Sequence, residues 1–284
     1  MTIGEALAHS RQAMEQHGIP DPETDSLLLV SHVTGLDMLM TRLEKNRPLT
    51  QEQEQRLSSL LLSRTRRIPL QYILQEQWFY GRRFYVDENV LIPRQETESL
   101  CSLGIEHLKK ADGSTALDLC TGSGAIAVTL AAECPTVQIF ASDLSESALQ
   151  VAAKNAAENH ADVTFYQGDL FSALPHFLRF DLILSNPPYI PTEDCKTLQT
   201  EVMQEPSMAL DGGKDGLDFY RCIVSEAGNY LNPGGALMVE IGFDQGEAVS
   251  LLFLEAGFAS VQVHKDLYGQ QRIVSGIWPE ASHS

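Results

Sequence analysis

No apolar run in this 284-residue chain approaches the roughly 20 residues that a membrane-spanning helix needs. Met1 to Gln12 have neither the basic start nor the apolar core of a secretory leader, so a cytoplasmic protein is expected. Cysteine is scarce: Cys101, Cys120, Cys134, Cys195 and Cys222 include no pair at zinc or redox spacing. Their number is odd and the chain is long for a disulfide scaffold, so all five read as free thiols. Positive charge is also short, with 20 Lys and Arg against 38 Asp and Glu and a net charge of −18. Residues 1–82 carry 9 basic and 10 acidic side chains, a balance of −1. Residues 83–284 carry 11 and 28, a balance of −17. An acidic body repels a phosphate backbone, which argues against stand-alone duplex binding and favours a protein or small-molecule partner.

The patterning divides the chain in three. Residues 1–68 read as a small helical domain. Ile3, Leu7 and Met14 share a helix face, and Gly18 can end that helix. Asp21 with Pro22 opens a second helix carrying Leu27 to Val30. Thr50 and Gln53 form a capping box for a third, with Leu57, Leu60 and Leu61 on one side. Residues 69–92 hold two β-prone segments, Tyr72–Leu74 and Phe84–Val86, with Gly81 between them, which suggests a hairpin linker. Residues 93–284 form the third part, in which strand and helix patterns alternate from about residue 113. Its strand runs are 116–120, 137–142, 163–167, 180–185, 236–241, 260–264 and 272–277. That alternation predicts an α/β domain with a doubly wound, mostly parallel sheet and ligands at the carboxyl ends of its strands. Lys265–Gln271 is too short for a crossover helix, so the last two strands should be antiparallel.

The first strand of that unit ends in Asp118-Leu119-Cys120-Thr121-Gly122-Ser123-Gly124 and opens a helix. Glycines there let a ligand approach the backbone closely. The stretch lacks the lysine of an ATP- or GTP-cradling loop and the full glycine spacing of a dinucleotide fingerprint. Asp143 ends the second strand, where a carboxylate can accept both ribose hydroxyls of an adenosine. Asp169-Leu170-Phe171 follows the third, where an acid and an apolar side chain can hold an adenine. Three acids at three successive strand ends (Asp118, Asp143 and Asp169) resemble the class I S-adenosylmethionine-dependent methyltransferases. That resemblance implies seven strands, the last antiparallel, with helices on both faces. It also implies that S-adenosylmethionine is held by Cys120, Thr121, Gly122, Ser123, Gly124, Asp143, Asp169, Leu170, Phe171 and Asn186. Related enzymes usually carry glycine where this chain has Cys120, so an adjusted cofactor affinity is expected.

The strand pattern Asp181–Ser185 runs directly into Asn186-Pro187-Pro188-Tyr189. Two prolines fix φ and remove two donors, leaving a stiff loop of carbonyl acceptors at the sheet edge. An amide or aromatic NH2 is a poor nucleophile because its lone pair is delocalised. The Asn186 side-chain oxygen and the Pro187 carbonyl can each accept one of its hydrogens, orienting it and favouring the charge that grows on nitrogen. Tyr189 can pack on the planar acceptor, and Pro188 is expected with these residues at the substrate. Such a loop suits adenine N6 and the glutamine side-chain amide equally.

Three stretches resemble the HemK/PrmC family of protein-(glutamine-N5) methyltransferases. They are Pro69 to Leu74, continuing through Phe79-Tyr80-Gly81 to Val90–Glu98; the Asn186–Tyr189 loop; and Glu205-Pro206 with Ala209-Leu210 and Gly212–Leu217. Pro93-Arg94-x-Glu96-Thr97-Glu98 matches the release-factor branch, with Gln95 where proline is usual. The resemblance implies methylation of the glutamine in the Gly-Gly-Gln loop of class-1 peptide-chain release factors, with the helical domain gripping the partner. An adenine-N6 methyltransferase and a non-catalytic cofactor-binding scaffold are the competing expectations.

Overall fold

The computed structural model describes residues 1–109, 114–266 and 269–280, and the chain divides into two compact units. The first comprises Met1–Glu76 with Gln199–Gln204, and the second Gln77–Leu198 with Glu205–Ser284.

The first unit contains α1 (Ile3–Gln16), α2 (Pro22–Thr34), α3 (Met38–Leu43), α4 (Gln51–Thr65) and α5 (Leu70–Leu74). Short polar side chains start them. Thr2 and Glu5 form a capping box for α1, Asp21 caps α2, and Thr50 and Gln53 form the expected box for α4. Ile3, Met14, Leu29, Val30, Leu57 and Leu61 make the core. Beside it lies an ion cluster that pattern alone does not announce. Arg64, 5% exposed, donates to Asp25 at 2.7 Å and to Glu201 at 3.0 Å, and Arg67 reaches Glu201 at 2.6 Å. These bonds draw Gln199–Gln204 into this unit.

The expected strand at Tyr72–Leu74 is helical instead. Pro69, at φ −52, caps α5, and its carbonyl accepts from the Tyr72 and Ile73 amides. Local start chemistry and burial of Leu70 override the β-propensity of Tyr and Ile. The hairpin lies later and belongs to the second unit, as β1 (Gln77–Phe79) and β2 (Arg82–Phe84). Tyr80 and Gly81 both have positive φ, 49° and 72°, as a two-residue hairpin turn requires.

The second unit continues with α6 (Thr97–Leu108), β3 (Thr115–Leu119), α7 (Ala125–Glu133), β4 (Gln138–Asp143), α8 (Glu146–Glu158), β5 (Val163–Gln167), β6 (Phe180–Ser185), α9 (Asp218–Ala227), β7 (Leu231–Glu240), α10 (Gly246–Glu255), β8 (Ala259–Lys265) and β9 (Gln271–Ile277). Seven strands form one sheet in the order β5-β4-β3-β6-β7-β9-β8. β3 to β7 are parallel, and β9 runs antiparallel to both β7 and β8. The antiparallel final pair is therefore as expected, although Leu267 and Tyr268 in its connection lie outside the described residues.

The strands alternate their burial between two cores, as a two-residue period requires. Ala116, Leu182, Leu184, Ala236 and Met238 face Leu100, Ile105, Ile126 and Val128 of α6 and α7. Leu117, Ile183, Leu237 and Val239 face Tyr220, Ile223, Val249 and Phe253 of α9 and α10. Helices thus cover both faces. The order reverses between β3 and β6, so the crevice outside their carboxyl ends is where this topology places ligands.

Candidate active site

A cavity of about 260 Å³ opens at that crevice. Cys120, Gly122, Asp143, Asp169, Leu170, Asn186 and Pro188 line it, together with residues from 89–91, 142–148 and 206–219. Seven of the expected site residues therefore line one cavity.

Asp118 does another job. It is fully buried at the end of β3, and its Oδ2 accepts from Thr121 Oγ1 at 2.6 Å and from the Ala127 amide at 3.1 Å. It ties the loop to the first turn of α7. Asn155 holds the same loop from α8, donating to the Ser123 carbonyl at 2.8 Å while bonding both the amide and the carbonyl of Tyr85. Nothing in the sequence pattern distinguishes Asn155 from an ordinary helix residue. Burial raises the Asp118 carboxyl from 3.8 to about 7, against the pull of its two hydrogen bonds. A raised carboxyl stabilises the fold fully below 3.8, and that stability is lost as pH rises through about 7. The thermal midpoint should therefore fall across that window, and fall less in Asp118→Asn. Identical profiles for the two proteins would remove Asp118 as the cause.

Asp143 closes β4 and lines the cavity. Its Oδ2 accepts from the Gly122 amide at 2.8 Å and its Oδ1 from the Ser145 amide at 2.9 Å. A carboxylate has about four lone-pair sites, so two remain for a ligand. Asp169 is exposed beyond β5, and Leu170 next to it lines the cavity at φ 45°. Cys120 stands at φ 62°, a left-handed conformation that favours glycine. A glycine, expected at this position from the resemblance, would take that backbone without cost. Burial, with Asp143 nearby, pushes the Cys120 thiol up, so it stays protonated.

Phe171 corrects an expectation. Its side chain is 0% exposed and stacks on Tyr230 at 4.8 Å between centroids, so it belongs to the core beneath the site. The left-handed turn at Leu170 aims Leu170 at the cavity and leaves Phe171 behind it. Thr121, Ser123 and Gly124 support the loop from outside the cavity wall.

Asn186 and Pro188 line the cavity, with Pro187 buried between them. Ser185 anchors the loop's start by donating to the Leu119 carbonyl at 2.7 Å. Asn186 donates its side-chain N–H to Thr97 Oγ1 at 3.1 Å. Tyr189 is half-buried against the second core, and burial pushes its phenol up, so it is no base. Its carbonyl accepts from Gln245 Nε2 at 2.9 Å, and Gln245 also donates to the Gly216 carbonyl at 3.2 Å. Beyond it, Ile190 forms a parallel bridge with Asp211. The loop is thus backed by Leu210–Gly216.

The segment from Pro93 to Glu98 proves to be a structural hub. Arg94 pairs with the buried Glu205, which also accepts from the Ile92 amide at 3.0 Å. Thr97 receives Asn186, and Glu98 accepts from the Tyr80 amide of the hairpin turn at 2.8 Å. Pro206, Met208, Asp211 and Phe219 line the cavity without having been singled out for it. Of these, Pro206 is among the residues that carried the resemblance, and Met208 and Asp211 stand between them.

Known proteins match both units. A model of the PrmC N-terminal domain matches residues 5–74, and one of the methyltransferase small domain matches residues 95–268. A release factor glutamine methyltransferase from Geobacter sulfurreducens is 43% identical over 277 residues, covering 97% of this chain and 96% of that one. Its counterpart from Cereibacter sphaeroides is 42% identical, covering 99% and 100%. A methyltransferase structure from Pyrococcus furiosus shares the fold at a TM-score of 0.53 and 20% identity, covering 71% of this chain and 91% of that one. With identity above 40% along essentially its whole length, in both units, the chain belongs to the family of release factor glutamine methyltransferases.

Proposed function

We propose that this chain transfers a methyl group from S-adenosylmethionine to the side-chain amide nitrogen of the glutamine in the Gly-Gly-Gln loop of class-1 peptide-chain release factors. One observation carries the assignment of the acceptor end. Asn186 commits its side-chain N–H to Thr97, which leaves its oxygen as the polar group offered to the cavity.

The residues present fit the cofactor. A Cβ built on Gly122 would meet nothing within 4 Å, so there is open space against the loop backbone. Asp143 retains lone pairs for two ribose hydroxyls, and Asp169 and Leu170 take the adenine end. When bound, S-adenosylmethionine supplies a methyl group on a positively charged sulfur. The protein's task is then to present a weak nucleophile in line. Asn186 Oδ1 and the Pro187 carbonyl accept the two amide hydrogens, which orients the nitrogen and favours the positive charge that grows on it. The alkylated nitrogen is acidic and releases its proton to water, so no strong base is needed. Tyr189 anchors the loop through its packed ring and fixed carbonyl. Labelled methyl transfer to release factor but not to duplex DNA tests this reading. Label on DNA alone would replace it with adenine methylation.

The first unit acts as the docking element for the partner. Leu39 and Leu43 of α3 are 66% and 68% exposed, with Met38 and Met40 beside them, an apolar surface suited to a folded protein. Leu39→Ser with Leu43→Ser should weaken release factor binding by about tenfold, the scale for truncating contact residues. Cofactor affinity should not change. Unaltered release factor binding would refute docking through α3.

A further inference from the structure

Glu240 ends β7 at 2% exposure, and its Oε2 has no hydrogen-bond partner among the described residues. Burying a carboxylate is costly unless its neighbours compensate. Its neighbours are those of the acceptor site. The parallel register sets Ser185 beside Val239, so the next residues outward are Asn186 and Glu240. Thr97, buried at the start of α6, completes a triangle with them. Asn186 donates to Thr97 Oγ1 at 3.1 Å, and both side chains favour the ionised form of the Glu240 carboxylate beside them. The Glu240 carbonyl is fixed separately, by the Tyr220 hydroxyl at 2.8 Å.

We infer that Glu240 is a positioning residue for methyl transfer: with Thr97 it holds the Asn186 amide N–H inward, so that the Asn186 oxygen faces the acceptor, and its negative charge raises the electron density on that oxygen. The inference rests on the role given to Asn186 above. A carboxylate beside the N–H end of an amide, in a buried site of low dielectric, polarises the whole group. A purely structural knot would work as well with glutamine at position 240.

Burial raises the Glu240 carboxyl from 4.5 to about 7; Glu96 pushes in the same direction, while Thr97, Arg272 and Asn186 oppose it. Tyr189, Tyr220 and Cys101 also sense Glu240, and burial holds all three neutral well above this range. The ionised form is the polarising one, so turnover should rise with pH through about 7.

The test is single-turnover methyl transfer to release factor at saturating cofactor, across that pH range. It compares wild type with Glu240→Gln, Thr97→Val, Thr97→Ser and Asn186→Ala. Glu240→Gln should lower the rate on the order of tenfold or more, abolish the rise through about 7 and leave cofactor affinity unchanged. Thr97→Val should also slow transfer, and Thr97→Ser, which keeps the hydroxyl, should restore it. A Glu240→Gln protein with wild-type rate and pH profile overturns the inference, and so does equal transfer by the two Thr97 variants. If Asn186→Ala is also unaffected, the reading of the loop fails as well. If Asn186→Ala is crippled while Glu240→Gln is not, only the role of Glu240 fails.

Discussion

Asn186→Ala should lower turnover on release factor by roughly 10²-fold or more, the scale for losing a preorganised group that stabilises developing charge. The side chain stands at the cavity, and its amide orientation is set by Thr97. Alanine removes the oxygen that orients the acceptor NH2 and leaves Thr97 without that donor. The backbone need not move, because Ser185 on one side and Pro187 on the other hold it. The defect should therefore appear in the chemical step, with the thermal midpoint close to wild type. Measured rates within a few-fold of wild type would make the loop a strand terminator and nothing more.

The second large effect is expected from a residue that touches no ligand. Gly216 lies behind the acceptor loop at φ 73°, and a Cβ there would clash with the Tyr189 carbonyl oxygen and stand 2.7 Å from Gln245 Nε2. Both partners belong to the clamp that fixes Tyr189. Gly216→Ala should cost about 1–2 kcal/mol for the left-handed backbone and a further ~1–3 kcal/mol for overpacking. It should also shift the loop, and a displacement of about 1 Å at a reacting group can cost ~10²-fold in rate. Stability by denaturant titration and turnover should fall together. Gly234→Ala is the control, because Gly234 has φ 82° but open space around it. It should lose the backbone share of stability and keep its activity. Full activity in Gly216→Ala would show that the clamp does not set the loop's position.

Much of this was written locally and could be read locally. The caps at Thr2, Asp21 and Thr50, the strand runs of the sheet and the antiparallel final pair depend on short-range chemistry or on a simple period. The helix at Tyr72–Leu74 shows where propensity fails: a proline start and one buried leucine outweigh two β-prone side chains. Phe171 shows a different limit. Its neighbour Leu170 takes a left-handed turn, and the sequence does not say which of two adjacent apolar residues will then face the cavity.

What the sequence by itself determined is the chemistry on offer: an α/β unit, acids at strand ends, and a stiff loop of acceptors after β6. Those features are single residues or contiguous runs, and their residue types carry their meaning. Scarce positive charge beyond residue 82 carries meaning in the same way, weighing against stand-alone duplex binding. Only the tertiary structure decided which of these residues share the cavity and which stand behind it. It moved Phe171 from the expected site into the core and set Asp118 as a tie for the loop. It brought Thr97 and Glu240 to Asn186 from 89 residues before it and 54 after. The physical reason is that pairings over such distances are fixed by strand register and helix packing, and by the need of each buried polar group for a partner.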